Sequence, residues 1–220
     1  MTEAGNPQED NRGIGLAKVL QISAVWGREE AENIVARARG GDEDAFHAIF
    51  NLYAKPVHTF IFNLLGDHGR AEELAQETFY RAFRRLDSMR PETELSTWLF
   101  GIARNVVRES IKGKYKERRR TGLDDPASLR LEDPRTGADQ LLISGEFHHA
   151  IGSALDALSL DHRLVFVLKV FHSMSYEEIS RITGCSTGKL KTDLHRARLE
   201  VRRRLRPYLR DSGVKSRSEP

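Results

Sequence analysis

The stretch SYEEISRITGCSTGKLKTDLHRAR, Ser175 to Arg198, decides how this chain folds. Ser175 followed by Glu178 has the spacing of a capping box, in which each side chain satisfies a free backbone amide at the start of a helix. Ile179 and Ile182 then fall on one inward face. Gly184 suits the left-handed residue that ends a helix, and Ser186 is placed to cap the next one. Leu190, Leu194, Ala197, Val201 and Leu205 give that second helix a narrow apolar stripe. Two helices joined by a short turn containing glycine form the helix-turn-helix pattern that reads DNA.

The second helix carries Lys189, Lys191, Arg196, Arg198, Arg202, Arg203, Arg204 and Arg206 against only Asp193 and Glu200. Thr187, Lys191, Thr192, His195 and Arg196 occupy its early outward positions, where side chains reach base edges. Lys189 and Arg198 complete the candidate DNA-binding set, and the later arginines lie where phosphates run. A basic solvated helix is the plain alternative, but the two caps, the glycine turn and the cationic face all fall in register.

Charge is sorted along the chain. Of 35 basic and 32 acidic side chains, eleven and four fall in 186–220, which leaves 24 and 28 in the rest. A chain that is cationic at one end and acidic at the other has the makings of an adaptor between DNA and a basic protein partner.

The remaining composition narrows the class. With one cysteine, Cys185, no disulfide can form within the chain, and a reducing cytoplasm is the natural compartment. The polar start, MTEAGNPQEDNRG, lacks a signal peptide's basic region, and the apolar patch 14–26 is too short and too interrupted to insert in a membrane. No phosphate-binding glycine loop, acid cluster or nucleophile with a partner base is present, so neither a nuclease nor another enzyme is expected. His148, His149 and Cys185 lack zinc-site spacing. No metal and no cofactor is expected.

The pattern divides the chain into an N-terminal extension, 1–29, a helical block, 30–116, a tether, 117–139, a second helical block, 140–209, and a tail, 210–220. The extension is polar at its start, with a short amphipathic helix possible over 14–26. The tether, ERRRTGLDDPASLRLEDPRTGAD, is rich in proline, glycine and charges of both signs. No strand alternation is seen, so the expected fold is all-α, two small helical domains joined by a flexible linker. Within the first block, Ala71, Leu74, Ala75, Thr78, Phe79, Ala82, Phe83 and Leu86 form one helical stripe, with Asp67 placed to cap it. Ser96 is placed to cap a further helix bearing Leu99, Ile102, Ala103, Val106, Val107 and Ile111. That helix opens with Trp98 and closes on a basic run, a pairing that suits unpaired nucleic acid, although tryptophan is more often a core residue than a stacking platform.

Four segments, GDEDAFHAIFNLY, AEELAQETFYRAF, STWLFGIARN and the opening stretch, together resemble the extracytoplasmic-function (group IV) sigma factors of bacterial RNA polymerase, the small class with only sigma domains 2 and 4. The resemblance implies that 30–116 is domain 2 and 140–209 domain 4. It implies that Glu73, Gln76, Glu77, Tyr80 and Arg81 lie on the surface that docks on core RNA polymerase. The loop DSMRPETEL and the helix after it would melt the −10 element and capture an extruded base, with Met89, Arg90, Trp98, Asn105 and Arg108 as the contacts. The helix Lys189 to Arg198 would read the −35 element of promoter DNA. Asp193 stands where a neutral or cationic residue is usual in the family, and would disfavour some sequences. The resemblance also implies an anti-sigma factor as a partner. The alternative is a conventional helix-turn-helix transcriptional regulator, which would need a receiver or ligand domain with strands and would leave STWLFGIARN unexplained.

Overall fold

The computed structural model of the chain describes residues 28–120 and 142–211. The short helix expected over 14–26, most of the tether and most of the tail lie outside these residues. Every described element is helical. A first lobe holds α1 (Arg28–Arg39), α2 (Glu43–Leu65), α3 (His68–Arg85), a 3₁₀ turn (Leu86–Ser88) and α4 (Leu95–Arg120). A second holds α5 (Leu142–Asp156), α6 (Leu160–Phe166), a π turn (Val167–Phe171), α7 (Tyr176–Thr183) and α8 (Thr187–Asp211). Among the described residues no helix is long and apolar enough to cross a membrane.

Local chemistry sets the ends. The Asp42 carboxylate accepts from the Ala45 amide at 3.1 Å to start α2, and Asp67 accepts from the Arg70 amide at 3.0 Å to start α3. Gly66 ends α2 in the left-handed region, φ 72°, and its amide donates to the Phe62 carbonyl. The α3 stripe is buried as expected at Ala71, Leu74, Ala75, Thr78, Phe79 and Ala82, with Leu86 buried just beyond. Phe83 departs from it. It is 59% exposed, because its ring leans edge-on against Phe46 rather than into the core. Ser96 does not cap α4: the helix begins at Leu95, and the Glu94 carbonyl accepts from the Trp98 amide at 3.0 Å. Ser96 therefore sits inside the first turn. α4 also continues to Arg120, through the first residues of the expected tether.

The two lobes pack on each other, and their buried side chains form one continuous apolar cluster. α4 lies against α7, and α2 against the π turn. In the seam the Arg163 guanidinium, 6% exposed, donates to the Leu64 carbonyl at 2.8 Å and pairs with Asp156 at 3.1 Å. Leu64 lies in the last turn of α2, where carbonyls have no partner inside the helix, so the cation meets both a free acceptor and the negative helix end. Arg104 of α4 also crosses the seam, donating to the Thr183 carbonyl of α7 at 3.1 Å.

His172 also lies in the seam. The π turn, closed by the His172 amide on the Val167 carbonyl, carries its ring against Phe100 at 4.7 Å and Phe60 at 5.8 Å between centroids. Although one edge of the residue reaches solvent, both ring nitrogens are shielded and have no hydrogen-bond partner among the described residues. Burial pushes the imidazole down to about 4.

Two predictions follow from the seam. Arg163→Met should lower unfolding stability by about 2 kcal/mol, the usual penalty for stranding a buried acceptor, read by urea denaturation; an unchanged midpoint would show that the bond adds nothing. For His172 the unfolded chain binds a proton below pH 6.5 that the folded chain refuses until about pH 4. Stability is therefore full above 6.5 and falls toward pH 4, by about 3 kcal/mol in total. His172→Phe should flatten that part of the pH dependence, and an identical acid profile for the variant would rule His172 out as its source.

Candidate nucleic-acid interface

The opening stretch folds as its residues dictate. The Ser175 amide donates to Glu178 Oε2 at 2.6 Å and the Glu178 amide to Ser175 Oγ at 3.1 Å, the full capping box. Gly184 takes φ 74°. Ser180 Oγ donates to the Cys185 carbonyl at 2.7 Å, and the Cys185 amide donates to Thr183 Oγ1 at 3.2 Å, so side chains on both sides lock the turn. Ser186 Oγ then accepts from the Lys189 amide at 3.4 Å. With Ile179, Ile182, Leu190, Leu194 and Ala197 buried, the orientation of α8 against α7 is set by packing.

That orientation leaves Thr187, Lys189, Lys191, Thr192, His195, Arg196 and Arg198 all exposed. Asp193 is a correction. It is buried, 6% exposed, paired with the Lys189 ammonium, and lies 3.7 Å from His162 Nε2 on α6. It braces α8 against the lobe and offers nothing to a DNA base. Its hydrogen bond raises the Lys189 ammonium above its ordinary value and ties that cation back to its own helix, whereas Lys191 stands over the Tyr176 ring at 5.7 Å. Farther along, Arg203 and Arg204 hold the Glu200 carboxyl down at about 2.

The residues assigned to the −10 element fall into two groups. Met89 and Arg90 belong to the loop between α3 and α4, while Trp98, Asn105 and Arg108 share a face of α4. Arg90, Asn105 and Arg108 are exposed, and Trp98 is partly buried on the core. Met89 is buried, 8% exposed, so its side chain anchors the loop instead of projecting from it. Asn105 accepts from Arg104, whose other nitrogen bonds Thr183, so this face of α4 runs into the seam with the second lobe. Burial pushes the Arg104 guanidinium down, with Arg108 adding to the effect.

The loop and α1 enclose a cavity of about 400 Å³ lined by Glu32, Arg39, Met89, Pro91, Thr93 and Glu94, among others. Behind it the Tyr53 phenol is pushed up to about 12, by burial first and then by the Glu94 carboxylate. Arg39 bonds the Leu86 carbonyl at 3.2 Å and also the Met89 carbonyl. The sequence reading passed over Arg39, Arg104, Arg163 and His172. All four act across long sequence separations, and only a capping or periodic signal shows itself locally.

A second surface opens between α3 and α4. Glu73, Gln76, Glu77, Tyr80 and Arg81 line one groove together with Glu109 and Ser110. Arg81 bridges it, donating at 2.7 Å to Glu77 and at 2.7 Å to Glu109, and these carboxylates raise its guanidinium further. Tyr80 is 58% exposed at the groove. Among the described residues no group of acids, histidines and cysteines could hold a metal ion.

Known proteins share these features. The chain matches the model of Sigma-70 region 2 over 49–117 and that of Sigma-70, region 4 over 148–201. It is 30% identical over 178 residues to the ECF RNA polymerase sigma factor SigW of Bacillus subtilis, covering 78% of this chain and 95% of that protein. Against the ECF RNA polymerase sigma-E factor of Escherichia coli K12 it is 26% identical over 185 residues, covering 80% and 95%. Among solved structures, the sigma factor RpoE of Bartonella quintana, in complex with the anti-sigma factor NepR, superposes with a TM-score of 0.61 at 27% identity, over 73% of this chain and 96% of that one. CnrH, solved with the cytosolic domain of CnrY, shares the fold with a TM-score of 0.59 at 21% identity, over 83% and 98%. Two sigma-70 regions in order, and a relative matched over nearly its whole length, place the helix-turn-helix and the α3–α4 groove in one kind of molecule: the chain belongs to the ECF sigma factors of RNA polymerase.

Proposed function

We propose that this chain is a group IV sigma factor in which each surface has one task. The α3–α4 groove, with Glu73, Gln76, Glu77, Tyr80 and Arg81, docks on core polymerase. The loop from Leu86 and the exposed face of α4 open the −10 element, Arg90, Asn105 and Arg108 meeting the strand and Trp98 wedging at the edge of the unpaired bases. The exposed face of α8 reads the −35 element in the major groove. The polymerase makes the bonds, and the chain itself catalyses nothing. Its place is the cytoplasm, and an anti-sigma factor, the class of protein bound to the similar Bartonella quintana RpoE, is its expected inhibitor.

The observation that carries this reading is the separation of charge between two surfaces of one chain. Glu73 and Glu77 of α3 and Glu109 of α4 line one groove, while α8 exposes Lys189, Lys191, Arg196, Arg198, Arg202, Arg203, Arg204 and Arg206. A conventional regulator would need a receiver domain with strands, and the described residues hold only helices.

The reading requires the lobes to part. Elements centred near −10 and −35 lie about 25 base pairs apart, roughly 85 Å of duplex at about 3.4 Å per pair. In the folded chain α4 and α7 touch, with Arg104 on Thr183. The residues between Arg120 and Leu142 reach roughly 70 Å when fully extended, enough to let the second lobe move out to its element. The packed arrangement is therefore a resting form.

Run-off transcription with sigma-free core enzyme tests the function itself: promoter-specific transcripts are expected, and their absence on every genomic fragment would overturn it. Lys191→Ala and Arg196→Ala should each weaken −35 recognition by about 1–3 kcal/mol, or about fivefold to 150-fold in Kd, with core affinity unchanged; equal loss of both would make α8 merely structural. Dyes on cysteines at Glu72 and Arg202, in a Cys185→Ser background, should lose energy transfer when core enzyme and promoter are added. Constant transfer would mean that the lobes stay packed.

A further inference from the structure

We infer that Arg39 is the positioning residue of the strand-opening loop, an assignment that rests on reading the segment after Leu86 as the −10 loop. Arg39 is the last residue of α1 and precedes the stretch matched by the region 2 model. Its Nε donates to the Leu86 carbonyl at 3.2 Å, and its Nη2 donates to the Met89 carbonyl. These two carbonyls bracket the 3₁₀ turn that leads into the loop, and the Leu86 carbonyl also accepts from the Met89 amide at 3.1 Å. A planar guanidinium presents its donors in a fixed fork, so it holds two acceptors in a set relation as a lysine ammonium cannot.

The clamp is itself held. The turn after α1 is closed by the Gly40 amide on the Ala36 carbonyl at 3.1 Å and by the Asp42 amide on the Arg37 carbonyl at 3.2 Å. Asp42 accepts from Arg37 Nε at 2.9 Å while capping α2. These bonds hold the carboxyl below its ordinary value, the backbone amide of Ala45 being the largest cause and Arg37 the next. Val35 and Ala38 bury the inner face of α1. Arg39 thus projects from a fixed base.

On the loop side, Leu86 and Met89 are 4% and 8% exposed, so the clamp and two buried side chains fix the start of the loop. The next residues, Arg90 to Thr93, close a turn of their own, with the Thr93 amide on the Arg90 carbonyl at 3.0 Å. Arg90, Pro91, Glu92 and Glu94 are left exposed on it. The loop therefore has its shape before DNA arrives. Strand separation then does not also have to order the loop, the usual benefit of a binding surface set in advance.

The test compares duplex promoter with the same promoter mismatched across the −10 element, so that it is already open. For Arg39→Met in complex with core enzyme, permanganate reactivity of the −10 thymines on duplex should appear at least tenfold more slowly than for the wild type. Core affinity, thermal midpoint and transcription from the mismatched template should stay within twofold. Arg39→Lys, which keeps the charge and the aliphatic stem, should show the same split and guards against a folding defect in the first variant. Duplex opening within twofold of wild type would overturn the assignment. So would a parallel loss of core affinity and of transcription from both templates, since that would make Arg39 a general fold contact. A wild-type chain that opens no promoter would instead overturn the functional reading on which this one rests.

Discussion

The Arg163 guanidinium on the Leu64 carbonyl is the contact on which the arrangement of the molecule depends. A helix of the length of α2 must leave its last carbonyls unsatisfied, and here one of them is answered from the other lobe. Arg163 is buried, so the bond forms where water competes little and each partner is expensive to strand. Around it the apolar side chains of both lobes merge. The seam is therefore made specific by its polar contacts and adhesive by its apolar ones. His172 departs from that pattern, a polar ring set against two phenylalanines with no hydrogen-bond partner for its nitrogens among the described residues.

Charge is deployed in the same two ways on the outer surfaces. Some cations are spent inside the chain: Lys189 on Asp193, Arg81 on Glu77 and Glu109, Arg203 and Arg204 on Glu200. Exposed pairs of this kind add little stability, but they decide which cations still face outward. On α8 the pairing of Lys189 with Asp193 still leaves Lys191, Arg196 and Arg198 exposed in the early and middle turns. Net charge conceals this, because a chain at +3 can still present one strongly cationic helix.

Much of this was legible in the residues, and the legible part has a common cause. Ser175, Glu178, Gly184 and Ser186 act within four residues of their partners, as does Asp67, and local rules are written locally. The apolar stripe of α3 was equally plain, because its period belongs to a single helix. Phe83 misled because a phenylalanine at the edge of a stripe has the same period whether it faces the core or leans on a surface ring. Ser96 misled because Glu94, two residues earlier, takes the cap position and α4 begins at Leu95. Asp193 looked like a surface residue, since its partner His162 lies far back in the chain on another helix. Arg39 and Arg163 gave no signal at all: each bonds a backbone carbonyl, and a carbonyl has no letter in a sequence.

The merged core bears on how the molecule behaves when it is alone. Phe60 and Phe100, almost fully buried, owe part of that shelter to the ring of His172 from the second lobe. Prising the lobes apart uncovers greasy surface that only a new binding partner can shield again. Self-packing thus keeps that surface covered for as long as the two lobes stay together.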